Sequence, residues 1–77
     1  MAKVIVYSTS SCAYCKMAKD FFQKHNVVYE EKDVTTDASA QQEMINKSGQ
    51  MGVPVVDIDG KIIVGYDIKA FSQLLNI

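Results

Sequence analysis

The only two cysteines of this chain, Cys12 and Cys15, sit where an apolar strand-like run passes into a helix-like one. Lys3 to Tyr7 is β-branched and short, and reads as a buried strand. Ser8 to Ser11 is a polar loop whose serines and threonine are good helix N-caps. From Ala13 to about His25 the period is helical. Cys15, Ala18, Phe22 and His25 recur on one face with Phe21 beside them, and Lys16, Lys19, Asp20, Gln23 and Lys24 fill the rest. A strand that feeds a helix through a short polar loop constrains the architecture: with a second strand after the helix, the β-α-β unit should be parallel and right-handed.

The remaining signals complete the plan. Val27 to about Lys32 reads as the second strand. Asp37 to Ser48 reads as a helix, with Asp37 as N-cap, an apolar stripe of Ala40, Met44 and Ile45, and Gly49 as terminator. Val53 to Ile58 and Lys61 to Val64 are strands joined by Asp59-Gly60, a two-residue hairpin signal. Gly65 breaks the run, and Asp67 opens a last helix carrying Ile68, Phe71, Leu74 and Leu75. The order β-α-β-α-β-β-α predicts an α/β fold, a four-stranded mixed sheet flanked by three helices. Its site is expected past the C-terminal end of the first strand.

Bulk properties narrow the function classes. The chain has 77 residues, enough for one small domain spanning 1–77. The net charge of −1, with lysines and acids interspersed, gives no electrostatic footprint for nucleic acid or an anionic membrane. No apolar run approaches the roughly 20 residues of a membrane span, and Val4 to Tyr7 is too short for a signal-peptide core. A cytoplasmic location is therefore expected. In a reducing compartment a lone cysteine pair is more often catalytic or metal-binding than a structural staple.

A C-x-x-C at a strand-to-helix junction points to thiol–disulfide chemistry. The attacking species is the thiolate, and a free thiol with pKa of about 8.5 is mostly protonated at neutral pH. Cys12 lies at a helix N-terminus, where unpaired N–H groups and the positive dipole end favour an anion. Lys16 and Lys19 share its side of the helix; an ammonium about 7 Å away contributes roughly 2 kcal/mol at an effective dielectric of about 20, and less when solvated. Cys15 lies one turn further in, on the core face. Cys12 is thus expected to attack and Cys15 to resolve the mixed disulfide. Two other readings stand beside this one: a pair of inert thiols, one of them core, or a metal site. The latter could recruit only His25, about three helical turns from Cys12 and too far to share a tetrahedral zinc.

Taken together, these motifs resemble the glutaredoxins and glutaredoxin-like redoxins over essentially the whole chain. The resemblance rests on Cys12-Ala13-Tyr14-Cys15 after the first strand, Gly52-Val53-Pro54 before the third, and Gly65-Tyr66-Asp67 after the fourth. It implies a thioredoxin-like fold with Cys12 as nucleophile, the thiol that Lys16 is expected to tune by its charge. It also implies glutathione as co-substrate, with no tightly bound cofactor. Tyr14 would border the glutathione sulfur, Val53 would pair its backbone with the tripeptide as an added strand, and Pro54 would be a cis proline facing Cys12. Gly65 and Asp67 would meet the γ-glutamyl end through backbone and carboxylate, and Tyr66 between them is counted with the glutathione-binding residues. The implied partners are glutathione and disulfide-containing or glutathionylated proteins, with the protein a monomer. Four positions depart from the family pattern. Ala13 stands where proline is typical, Thr9 stands where many members have a lysine for the glycine carboxylate, and Val64 and Ile68 replace a second glycine and a second acid.

Two alternatives share this resemblance. One is a redoxin fed by thioredoxin reductase that donates electrons to an enzyme such as ribonucleotide reductase. The other is a dimer that holds an iron–sulfur cluster through Cys12 and glutathione.

Overall fold

The computed structural model describes residues 3–77. Seven elements follow in the expected order: β1 (Val4–Ser8), α1 (Ala13–Lys24), β2 (Tyr29–Asp33), α2 (Ala38–Ser48), β3 (Val55–Ile58), β4 (Lys61–Val64) and α3 (Ile68–Leu75). The sheet order is β2-β1-β3-β4. β1 and β2 are parallel, and the other two pairings are antiparallel.

Alternation along β1 builds two cores. Val4 and Val6 face one side, packing with Ala18 and Phe22 of α1, Phe71 of α3, and Val56 and Ile58 of β3. Ile5 and Tyr7 face the other, against Ala40 and Met44 of α2 and Val55. All five β1 residues are buried, as a central strand covered on both faces requires. Asp59 and Gly60 both take positive φ, 52° and 87°, the backbone that a tight two-residue hairpin demands.

Two strands start later than the sequence suggests, each for a local reason. Val27 belongs to the end of α1: its N–H bonds the Phe22 carbonyl at 2.8 Å, and the Asn26 N–H bonds that of Gln23 at 3.1 Å, with Asn26 at φ 58°. These two bonds are the helix-terminating Schellman pattern, with asparagine in place of glycine. Val28 is then left in solvent, and β2 begins at Tyr29. β3 begins at Val55 because Pro54 has no N–H to donate to a ladder. His25, expected on the core face, is the exposed C-cap residue of α1, its ring 4.5 Å from that of Phe21. Of the methionines, Met44 is core and Met17 and Met51 are exposed; Met1 lies outside the described residues.

Because β3 runs antiparallel to β1 with Tyr7 opposite Val55, the residues before β3 lie beside those after β1. This register brings Pro54 to the edge where the cysteines sit.

Candidate active site

α1 begins immediately after Cys12, and Cys12 is itself the N-cap. The loop serines were expected to cap it. Instead, the Cys12 Sγ accepts the Cys15 N–H at 3.1 Å, so sulfur takes the place of the usual serine or aspartate oxygen. The Cys12 carbonyl accepts the Lys16 N–H at 3.3 Å, and the Cys12 N–H is bound to the Thr9 carbonyl at 3.3 Å. An N-capping sulfur meets the positive end of the helix and one directed donor, and both favour its anionic form. Cys12 and Cys15 are joined as a disulfide, their Cα atoms 5.2 Å apart. Cys12 is half-buried and Cys15 fully buried.

The two lysines expected to support Cys12 part company. Lys19 Nζ lies 2.7 Å from a Glu31 carboxylate oxygen that also accepts from the Ser8 hydroxyl at 3.0 Å. Its hydrogen bond is the largest influence holding the Glu31 carboxyl below the usual range. A lysine neutralised in this way adds little field at Cys12. Lys16 is exposed and makes no ion pair among the described residues, so it is the unengaged cation nearest to Cys12 in sequence.

The cysteine motif borders two depressions, Cys12 lining one and Tyr14 the other. On one flank, a polar cleft runs between the loop, α1 and β2, lined by Ser10, Lys16, Lys19, Asp20 and Glu31. Sequence reasoning missed it, because Glu31 enters from the next strand. On the other flank, Tyr14, Val53, Pro54, Gly65 and Tyr66 line one groove. Five residues from three separate motifs are thus brought together. The Val53–Pro54 bond is cis. The Gly65 N–H bonds the Pro54 carbonyl at 2.8 Å, and the Tyr14 and Tyr66 rings stack with centroids 6.4 Å apart. The Val53 backbone makes no hydrogen bond among the described residues. Asp67, next in the chain to Tyr66, does not line the groove itself; it is exposed and caps α3, its Oδ1 accepting the Ala70 N–H at 3.1 Å. Ahead of the groove, the Gln50 amide spans Gly52, accepting its N–H at 2.6 Å and donating to its carbonyl at 3.0 Å.

A second polar cluster escaped the sequence reading. Tyr7, fully buried, donates its hydroxyl to Glu43 and accepts from Lys47 Nζ at 2.8 Å. Lys47 also meets Asp57 at 2.7 Å, and Lys32 meets Glu43 at 3.1 Å. Burial, followed by the bond to Glu43, raises the Tyr7 phenol above its ordinary range. Asp57 pairs with Ile5, toward the end of the sheet remote from Cys12. The spacing of single lysines and acids on three elements carries no signal that they will converge on Tyr7.

Among the described residues no three His, Cys, Asp or Glu side chains converge as a metal site would need. No helix is long and apolar enough to cross a membrane.

Comparison with known proteins agrees with this geometry. The family model for glutaredoxin matches residues 4–63. A glutaredoxin-like 8.6 kDa protein of the rubredoxin operon in Clostridium pasteurianum is 37% identical over 71 residues, covering 92% of this chain and 95% of its own. Glutaredoxin 3 of Escherichia coli K12 is 36% identical over 67 residues, covering 87% and 81%. The crystal structure of a mutant thioredoxin-like protein superposes with a TM-score of 0.93 at 39% identity, covering 100% of this chain and 99% of that one. With a capping cysteine disulfide-bonded one turn into its helix on a thioredoxin-like sheet, the chain belongs to the glutaredoxin family and is a thiol–disulfide oxidoreductase.

Proposed function

We propose that this oxidoreductase draws its electrons from glutathione, reducing protein disulfides with both cysteines and glutathione mixed disulfides with Cys12 alone. The observation that carries the proposal is the groove that Tyr14 of the cysteine motif shares with Val53, Pro54, Gly65 and Tyr66, in which the Val53 backbone makes no hydrogen bond among the described residues. An extended tripeptide can hydrogen-bond such a backbone as an added strand while its sulfur meets Cys12. Asp67 contributes its second carboxylate oxygen to the γ-glutamyl end, since Oδ1 is engaged in capping.

The Cys12 thiolate attacks a substrate sulfur, forming a mixed disulfide and expelling one thiolate. With a protein disulfide, Cys15 then displaces the bound sulfur, leaving the Cys12–Cys15 disulfide and a substrate dithiol. Two glutathione thiols return two electrons and leave as glutathione disulfide. With a glutathionylated protein, Cys12 takes the glutathione and a second glutathione releases it. The burial of Cys15 suits a resolving thiol that meets only a sulfur already attached to Cys12. Lys16 supports the thiolate through its charge. The cytoplasm is the proposed setting, and the monomer the proposed working form.

The test is turnover of a glutathione mixed disulfide with glutathione, glutathione reductase and NADPH. Rapid NADPH loss is expected, abolished by Cys12→Ser. Cys15→Ser should keep this activity and lose most protein-disulfide reduction; loss of both would overturn the role assignment.

A second reading has one observation in its favour. At the last motif, Val64 and Ile68 present exposed apolar side chains, at the two positions where the sequence departs from the family pattern. That surface suits a redoxin reduced by thioredoxin reductase. Turnover with that reductase and none with glutathione would decide for it.

A further inference from the structure

Seven large apolar side chains are exposed among the described residues, and five of them, Tyr14, Met17, Met51, Val64 and Ile68, belong to the three segments that frame the cysteine pair. Scattered exposed apolar residues need no explanation, but a cluster at a reactive site marks a contact surface. Two of the five lead away from the groove already described. Met17 on α1 and Ile68 at the start of α3, exposed by 44% and 43%, are opposite walls of a cleft between those helices. Phe21 and Tyr66 also line it. Both touch the buried Phe71, at centroid distances of 6.0 and 6.2 Å, so the floor is anchored in the core. Tyr66 is a wall of both depressions, and its stack on Tyr14 makes the apolar surface continuous from the cysteine motif to the far end of α1.

We propose that this α1–α3 cleft is a docking subsite for an apolar side chain of a disulfide-bearing protein segment, a few residues along the chain from the cysteine that Cys12 attacks. The inference rests on the oxidoreductase activity, but not on which reductant restores it. Three features select this occupant. The cleft joins the reactive groove through Tyr66, so one extended segment can fill both. Its walls are a flexible methionine and an isoleucine, which accept apolar side chains of varied shape. Lys24 and His25 stand at its far rim, and Lys24 makes no ion pair among the described residues. An acidic residue just beyond the apolar one therefore finds a complementary charge. Asp20, the one acid here, sits on the ridge shared with the polar cleft on the other flank. A glutathione tripeptide has no apolar side chain to place between Met17 and Ile68, so the subsite separates protein substrates from glutathione itself.

The reaction is that of the motif: the Cys12–Cys15 dithiol gives two electrons to the substrate disulfide, becoming a disulfide as the substrate becomes a dithiol. The experiment uses prereduced protein and single-turnover kinetics, with no added reductant. The substrates are short peptides closed by an internal disulfide, with phenylalanine or serine placed in turn at the third to sixth positions beyond the second cysteine. At one placement the phenylalanine peptide is expected to react about tenfold faster or more at subsaturating concentration, the discrimination that one buried apolar side chain supplies. Ile68→Asp should reduce that ratio to about threefold or less, while Val28→Ser, an exposed apolar change elsewhere, should keep it. Equal rates for both peptides at every placement would overturn the subsite while leaving the oxidoreductase intact. So would a preference that survives Ile68→Asp. Failure of every peptide to oxidise the protein would instead strike the oxidoreductase reading, and this inference with it.

Discussion

Lys47→Met is the most demanding test of how the non-catalytic end of this molecule is held. Lys47 Nζ has three oxygen neighbours: Tyr7 at 2.8 Å, Asp57 at 2.7 Å and Glu43 at 3.3 Å. It also lies 5.2 Å from the centre of the Tyr7 ring. Methionine keeps the helix propensity and most of the stem, so the change isolates the charge. Glu43 retains Lys32, and the Tyr7 hydroxyl retains Glu43. Asp57 is the group left exposed to loss: only 7% accessible, it keeps the Gly60 N–H on one oxygen and nothing on the other. Breaking a buried pair from one side costs about 3–5 kcal/mol. The Lys47 side chain is 29% exposed, so water can enter and the lower end applies, about 3 kcal/mol. For a domain of this size that is a fall in Tm of about 12–24 °C. Urea titration and calorimetry of the reduced protein measure it. Adding Asp57→Asn should recover about 1 kcal/mol or more by removing the stranded charge. The rate of Cys12 alkylation should not change, because the group left unpaired, Asp57, lies opposite Ile5, away from the Ser8 end of β1 that leads to Cys12. A loss below about 0.5 kcal/mol would refute the argument that Asp57 depends on Lys47.

Three further outcomes are expected. The Tyr7 hydroxyl and then Lys32 hold the Glu43 carboxyl down at about 2, against 4.5 when free. Its contribution is therefore complete above about pH 4.5 and lost as the pH falls toward 2. For a carboxylate more than a third exposed, that is about 1 kcal/mol after screening, read as a steeper acid decline in urea stability than Glu43→Gln shows. Lys16→Gln should move the pH midpoint of Cys12 alkylation upward by roughly half a unit, with Lys19→Gln moving it less because Glu31 already engages Lys19. Gly52→Ala places a Cβ 2.7 Å from the Gln50 amide oxygen, which must then release the Gly52 N–H. KM for the glutathione mixed disulfide should rise about threefold or more with kcat little changed, corresponding to about 0.7 kcal/mol of binding.

What the sequence made legible was whatever is encoded by near neighbours. The Asp59-Gly60 turn, the capping aspartates Asp37 and Asp67, the αL Gly49 after α2 and the C-x-x-C junction each carry their geometry within a few residues, and each stands where expected. The errors lie where one local rule overrode another. Val27 and Val28 have strand propensity, yet Asn26 ends α1 with a motif that consumes Val27. The loop serines have better capping chemistry than sulfur, yet the chain enters α1 one residue after Cys12, so the capping position falls to the thiol. What stayed hidden depends on pairing between distant elements. Glu31 reaches Lys19 across the crossover, and Lys47 of α2 reaches Asp57 of β3; neither bond has a period or spacing to announce it.

The two ends of β1 are built on opposite principles, and function explains the division. Toward the Val4 end, the Lys3 carbonyl accepts the Asp59 N–H at 2.9 Å, and Asp59 accepts the Lys3 N–H at 2.8 Å. Asp57 and Lys47 complete a set of matched charges beside them. At the Ser8 end, the Val53 backbone has no partner among the described residues, Lys16 has no counter-ion, and Tyr14, Met17 and Ile68 are left in water. Each of those open groups costs stability in the isolated molecule, and each is of the kind that a substrate can satisfy: a peptide edge, an anionic sulfur and an apolar side chain. Stabilising the reactive end from within should therefore weaken substrate engagement. Stabilising the charged end should leave it untouched. That asymmetry follows from β1 being the central parallel strand of its crossover, with its C-terminal end given to the active site and its N-terminal end to the hairpin that closes the sheet.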